Sequence, residues 1–184
     1  MLTVKERGQF VATLRYVHVA LMETLADWVP TTPEMEVKLL FGEHIWDVAQ
    51  HADSLGKRTF ELRMPLQHSV RPAEPYVGFL ATVRAIEKTP ERLAAIYDVL
   101  LPAIAQRQRR YLEHTDKLVD APTVRILDRY LSDMARMIDS AHALRREMPA
   151  LQLADRQWIS NLQTREAASE LLAPMAAEAA AVGA

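Results

Sequence analysis

Proline-containing breaks divide this sequence into long segments in which apolar residues recur at helical spacing. The breaks fall at residues 30–33, 89–91 and 120–123, and the 184 residues include only five glycines. Proline interrupts a helix because it lacks a backbone N–H and clashes with the preceding turn. Between the breaks, apolar side chains three and four residues apart share one face, which predicts amphipathic helices. No segment alternates as a strand would, so the sequence predicts an all-α fold.

The predicted helices cover residues 3–29, 33–63, 76–88, 90–119, 122–148 and a final segment that reaches residue 172. Thr32 and Thr89 each precede a proline and are expected to cap the helix that follows. Pro102 should kink the fourth helix by removing one backbone hydrogen bond. The chain has the length of one domain, which we assign to residues 1–175, followed by a flexible Ala-rich tail at 176–184.

A short internal repeat relates the second helix to the last core helix. Residues 47–51, Asp-Val-Ala-Gln-His, align with residues 133–137, Asp-Met-Ala-Arg-Met. Each copy follows a proline–threonine break by a similar distance. The repeat therefore favours two helical hairpins related by a pseudo-twofold, joined by the long polar connection at residues 64–75.

Two stretches carry a local similarity to a known family. The first, residues 37–63, contains His44, Trp46, Asp47, His51, Ala52, Asp53, Leu55 and Arg58, and the second is residues 120–125. Through them the chain resembles the ferritin-like superfamily, in particular its small rubrerythrin-type bacterial members. The resemblance implies a ferritin-like four-helix bundle of two hairpins with a long crossover, plus a C-terminal helix. It also implies a carboxylate-bridged di-iron site, built from two Glu-x-x-His pairs and one Glu from each other helix.

The positions that would hold this iron site are degenerate. Alignment through the repeat places the two Glu-x-x-His pairs at Val48 and His51, and at Met134 and Met137. Valine and methionine offer no carboxylate oxygen for iron. We therefore expect a divergent member of the family without a conventional di-iron centre.

Three histidines lie on the predicted core faces of the first two helices. His44 and His51 are one heptad apart, and His18 falls on the apolar face of the first helix. Asp47, between His44 and His51, is placed to orient either ring by a hydrogen bond. We expect all three histidines to be buried, and we assign His44, Asp47 and His51 as candidate catalytic residues.

A second set of polar residues is a candidate for ligand binding. It consists of His18 together with Arg107, Tyr111 and His114 on the kinked helix. An inward Arg107 could anchor an anionic group. The Pro102 kink could instead rotate Arg107 into solvent, and that alternative stays open.

Composition excludes several classes of function. Lys and Arg number 22 against 24 Asp and Glu, which argues against nucleic-acid binding through bulk positive charge. The chain has no cysteine, so disulfides, Cys-ligated zinc and iron–sulfur clusters are excluded. No apolar run is long enough for a membrane span or a signal region, so we expect a cytoplasmic protein with no membrane partner. Trp46 falls nearly opposite the core face of its helix, so we expect it to pack against another chain, which would favour a homodimer, or against the C-terminal helix.

Three functional hypotheses follow. The first is a small-molecule binding protein, with His44, Asp47 and His51 as acid–base groups and no cofactor; if it is an enzyme, it is a biosynthetic one. The second is a mononuclear non-haem metal oxidoreductase, with iron or zinc held by His18, His44, Asp47 and His51. The third is a non-catalytic helical interaction module.

Overall fold

The computed structural model describes residues 2–152 and 154–169, and every regular element in these ranges is helical. The α-helices are α1 (Val4–Thr31), α2 (Met35–Glu61), α3 (Glu74–Arg84), α4 (Thr89–Ala94), α5 (Leu101–His114), α6 (Ala121–Glu147) and α7 (Arg156–Ala168). A π-helical segment, Ala95–Leu100, joins α4 to α5, and a 3₁₀ turn, Pro149–Gln152, follows α6. The predicted all-α fold is confirmed. The predicted tail at residues 176–184 lies outside the described residues.

Helices α1 and α2 form an antiparallel pair, because only residues 32–34 connect them. Near the connection, the rings of Trp28 and Phe41 lie 5.9 Å apart. Farther along, the rings of His18 and His51 are separated by 5.5 Å. The first two long helices therefore pack along their whole length.

Helix α6 packs antiparallel to α2. Arg58, near the end of α2, bonds Thr123 in the first turn of α6. Asp47, earlier in α2, bonds Arg136 farther along α6. The two copies of the internal repeat thus face each other across one helix–helix contact.

The segment from α4 to α5 packs on α1, where the rings of Phe10 and Tyr111 stack with centroids 4.1 Å apart. The predicted disruption near Pro102 takes the form of a π-helical turn, in which the N–H of Leu101 bonds the carbonyl of Ile96, five residues back. Such turns commonly accommodate the missing N–H of a proline.

Helix α5 ends at His114 rather than at the predicted residue 119. Thr115 leaves the helical conformation, with φ −86° and ψ 152°. Its hydroxyl donates to the carboxylate of Asp120 at 2.9 Å. The side chain of Asp116 then closes a turn by accepting two backbone N–H groups. Polar contacts, rather than a loss of apolar periodicity, therefore end this helix.

The two predicted threonine caps are wrong. Thr32 lies at the end of α1, where its hydroxyl donates to the Trp28 carbonyl at 2.8 Å. Thr89 is already inside α4, and its hydroxyl donates to Glu34 at 2.8 Å. Both threonines are buried, and neither hydroxyl caps the helix that follows it. Thr32 bonds back to its own helix, and Thr89 bonds a side chain distant in the sequence.

The outer face of α2 carries an exposed tryptophan, as predicted. Trp46 is 67% exposed, and Met35 and Leu39 on the same helix are exposed as well. The homodimer inferred from Trp46 stays a prediction. Within the described part of the chain, no helix combines the length and apolarity needed to cross a bilayer.

A buried polar cluster joins the ends of α2, α5 and α6 around Asp120. Its fully buried carboxylate accepts from Arg58 at 2.9 Å, Tyr111 at 2.6 Å, Thr115 at 2.9 Å and Thr123 at 2.6 Å. Burial opposes ionisation of Asp120, but the four donors outweigh burial, so its pKa is lowered. A buried ion of this kind persists because its lone pairs are satisfied by hydrogen bonds.

Replacing Asp120 by Asn should therefore strongly destabilise the fold. The change removes the buried counter-ion of Arg58, which then keeps an ion pair only with the more exposed Glu61. Breaking a buried ion pair typically costs about 3–5 kcal/mol. Urea denaturation monitored by circular dichroism measures the loss. Asp128→Asn, at an exposed position on α6, is the matched control and should change the free energy of unfolding by less than about 0.5 kcal/mol. Equal stability of the two variants would contradict a structural role for Asp120.

Candidate functional site

The three predicted core histidines are buried, as the helical periodicity indicated. His18 on α1 is 1% exposed, and His44 and His51 on α2 are 0% and 2% exposed. Each imidazole has a different partner, so the three rings do not form one cluster. Their catalytic and binding roles stay predictions.

His51 is oriented by a carboxylate from the facing helix. Its Nε2 lies 3.0 Å from Oδ2 of Asp133 on α6. A carboxylate only accepts hydrogen bonds, so Nε2 carries the hydrogen and Nδ1 carries a free lone pair. Nδ1 is buried and has no hydrogen-bond partner among the described residues. Burial lowers the pKa of His51 and Asp133 opposes this effect, so the ring is held as a neutral base.

Tyr130 fixes the plane of the His51 ring. The two rings stack with centroids 3.8 Å apart and an interplanar angle of 26°. The Tyr130 hydroxyl donates to the backbone carbonyl of His51 at 2.7 Å. Burial also raises the pKa of Tyr130, so its hydroxyl keeps its proton at neutral pH. The His51 imidazole is therefore held at its edge by the hydrogen bond to Asp133 and on its face by the stacked Tyr130 ring.

His18 places a second buried imidazole beside His51. Its Nδ1 lies 2.9 Å from the Leu14 carbonyl and must donate to it, so Nε2 carries the lone pair. The ring meets His51 edge-on, at a centroid distance of 5.5 Å. Burial, with a smaller contribution from His51, lowers the pKa of His18 to about 3. Two neutral, hydrogen-bond-accepting imidazoles thus lie side by side between α1 and α2.

His44 is held by a tyrosine of the π-helical segment. Its Nδ1 lies 2.7 Å from the hydroxyl of Tyr97, which is fully buried. Burial lowers the pKa of His44 to about 4, against the opposing effect of Asp47 and with a smaller lowering effect of Arg136. Its Nε2 is buried without a partner in the part of the chain that the structure describes.

The prediction that Asp47 accepts a hydrogen bond from His44 or His51 is wrong. The Asp47 carboxylate instead accepts from Nη2 of Arg136 at 2.7 Å. Arg136 belongs to the repeat copy on α6, which faces Asp47 across the helix–helix contact. An arginine–carboxylate bond is charge-assisted and therefore favoured over a bond to a neutral imidazole.

The repeat also contains the residue that the sequence interpretation missed. Asp133 occupies the position equivalent to Asp47, and it supplies the carboxylate for His51. The repeat thus aligned the correct residues, but each aspartate bonds the opposite helix rather than a histidine on its own.

The predicted single-metal set of His18, His44, Asp47 and His51 is not brought together. In residues 2–152 and 154–169, the trio of His and acidic side chains with ligand atoms within 4.8 Å of one another is Glu43, His44 and Asp47. The second hypothesis therefore lacks the geometry it required.

The residues present do not fit a carboxylate-bridged di-iron centre. Val48, His51, Met134 and Met137 are all buried in the core. Three of the four side chains carry no nitrogen or oxygen ligand, and methionine sulfur is a poor ligand for iron in such sites.

The ligand-binding set predicted on the kinked helix is dispersed. Arg107 forms an ion pair with Glu166 on α7, which covers this side of the bundle. Tyr111 donates to Asp120 in the buried cluster. His114 is exposed at the end of α5, so its inward orientation was wrong. The π-helical turn and the early end of α5 rotate these side chains away from a common interior.

A cleft of about 460 Å³ lies on the surface between α1 and α3. Its lining includes Tyr16, Ala20, Glu23, Val77, Leu80 and Arg84, and none of the three buried histidines. Arg84 in this cleft is bonded to Asp27 and Glu23, so its charge is already balanced. No pattern in the sequence predicts this cleft.

Comparison of the chain with models of known protein families, with curated proteins and with solved structures found no match.

Acid should unfold this protein partly through His18. The folded state keeps His18 neutral down to about pH 3, whereas the unfolded chain takes up a proton below about pH 6.5. Stability is therefore present above pH 6.5 and falls as the pH falls below it. Between pH 7 and pH 5, His18 alone should lower the free energy of unfolding by about 2 kcal/mol.

Urea denaturation of the wild type and of His18→Gln at several pH values tests this expectation. The variant should have a shallower dependence of stability on pH, by about one proton. His114→Gln, which removes an exposed imidazole, is the matched control and should keep the wild-type slope. An unchanged slope in His18→Gln would show that His18 is not a buried neutral group.

Proposed function

We propose that this chain is a divergent ferritin-like bundle that binds a small polar molecule beside His18 and His51. The antiparallel pairing of α1 with α2 and of α2 with α6 supports the ferritin-like connectivity. The long path through α3, between α2 and α4, is the crossover that this connectivity requires. The assignment to this family rests on the connectivity and on the two similar stretches.

The single observation that carries the functional proposal is the free Nδ1 of His51. The nitrogen is buried, carries a lone pair and has Asp133 on the opposite side of its ring. An imidazole held in one tautomer by a carboxylate is the arrangement of a general base. A proton accepted at Nδ1 would be balanced by the Asp133 charge, since the resulting imidazolium stays hydrogen-bonded to it.

The chemistry of the two imidazoles indicates the class of ligand. In both His18 and His51 the bonded ring nitrogen is the donor, so the other nitrogen of each ring is an acceptor. A complementary ligand must therefore supply N–H or O–H groups, as amines, amino alcohols and sugars do. An unpaired buried acceptor is unfavourable, so a donor placed there removes a desolvation penalty of about 1–3 kcal/mol.

A thermal-shift panel of amino alcohols, polyamines and monosaccharides tests the proposal. At least one probe should raise the melting temperature of the wild type, because binding to the folded state alone stabilises it. His51→Gln should abolish the shift. Asp133→Asn should weaken it, because the amide no longer fixes the His51 tautomer.

The control for this panel is Asp139→Asn, at an exposed position on the same helix as Asp133. It should keep the full shift. The proposal is contradicted if no probe stabilises the wild type, or if a shift persists unchanged in His51→Gln. Melting temperatures without ligand identify any variant that fails to fold, and Asp133→Asn then serves as the milder substitution.

A further inference from the structure

We infer that Glu43, His44 and Asp47 form a binding site for a divalent transition-metal ion of the zinc type, separate from the His18–His51 pair. All three residues lie on α2, within little more than one turn. Seven residues separate His44 from His51 along the helix, or about 10 Å. The site therefore does not depend on the proposed small-molecule function.

The ligand atoms of the trio are already gathered. One atom from each side chain lies within 4.8 Å of the other two. The site opens to solvent on one side, since the side chain of Glu43 is 63% exposed and that of Asp47 is 19% exposed. His44 forms its buried floor. An ion can therefore arrive from the surface and meet a ring nitrogen beneath two carboxylates.

His44 supplies an observation independent of the acidic pair. Its side chain is fully buried, yet Nε2 has no hydrogen-bond partner within the described ranges. The other ring nitrogen, Nδ1, is engaged by the Tyr97 hydroxyl at 2.7 Å. When Nδ1–H donates to Tyr97, the lone pair of Nε2 is free to bind a metal. Metal-binding histidines are usually oriented in this way, by a hydrogen bond from the ring nitrogen that does not bind the ion.

Arg136 occupies the outer side of the trio. Its Nη1 lies 3.2 Å from Glu43, and its Nη2 lies 2.7 Å from Asp47. The guanidinium therefore neutralises the same two carboxylates that a cation would bind. Its side chain is partly exposed and can turn toward solvent, so Arg136 and a metal ion would compete for the site.

The donor set selects the class of ion. One imidazole nitrogen and two carboxylate oxygens suit zinc, which accepts three protein ligands and a water molecule. Calcium and magnesium prefer sites made of oxygen ligands alone, so the buried imidazole disfavours them. Cobalt(II) binds similar ligands, and it serves as a spectroscopic probe.

Calorimetric titration of chelator-treated protein with ZnCl₂ tests the inference. The wild type should bind one ion per chain. Glu43→Gln, which removes an exposed carboxylate, should weaken zinc binding at least tenfold. Arg136→Gln should strengthen it severalfold, because the competing cation is removed. Glu36→Gln, an exposed glutamate on the same helix, is the matched control and should bind as the wild type does.

Tryptophan fluorescence locates the bound ion. Trp46 is adjacent to Asp47 in the chain, so Co²⁺ in the site should quench its emission. The quenching should disappear in Trp46→Phe and should be reversed by added Zn²⁺. No stoichiometric zinc binding, zinc binding unchanged in Glu43→Gln, or weaker binding in Arg136→Gln would overturn the inference. Glu43 and Arg136 are exposed or partly exposed, so these variants are expected to fold.

Discussion

The buried ionised carboxylate of Asp120 is the constraint around which the helix ends are arranged. It lies in the turn before α6 and accepts bonds from Arg58 on α2, from Tyr111 on α5 and from the threonines beside them. Because an unsatisfied buried charge is strongly unfavourable, all of these donors must be in place together. This requirement fixes the positions of α2, α5 and α6 relative to one another along the bundle axis. It also explains why α5 stops before Thr115, whose hydroxyl is one of the donors.

The axial positions that the Asp120 cluster fixes determine which residues of α2 and α6 contact each other in the middle of the bundle. With α2 and α6 fixed in register, the two copies of the repeat face each other, and each aspartate meets a side chain of the opposite copy. Asp133 then holds His51, and Asp47 holds Arg136. Asp133 thus accepts a hydrogen bond from a buried neutral base, and Asp47 accepts one from an exposed cation. The pseudo-symmetric sequence therefore gives two chemically different environments, beside which we propose a small-molecule site and a metal site.

Much of the fold could be predicted from the sequence, because burial follows local periodicity. The long helices, the burial of His18, His44 and His51, and the outward orientation of Trp46 follow from residues three and four positions apart. The partners of the buried groups could not be predicted in this way. The bonds of His44 with Tyr97 and of Asp47 with Arg136 depend on the π-helical turn and on the register of α6. The bond between Arg58 and Asp120 likewise joins residues 62 positions apart, which no local pattern predicts.

His51 is held as a neutral base, with its hydrogen on Nε2 and a free lone pair on Nδ1. A long-range ¹H–¹⁵N correlation spectrum of uniformly ¹⁵N-labelled protein at neutral pH reports the protonation of both ring nitrogens directly. We expect the His51 signals to show the Nε2–H tautomer, and to lose that fixed pattern in Asp133→Asn. A doubly protonated imidazolium, or an Nδ1–H tautomer, would contradict the account.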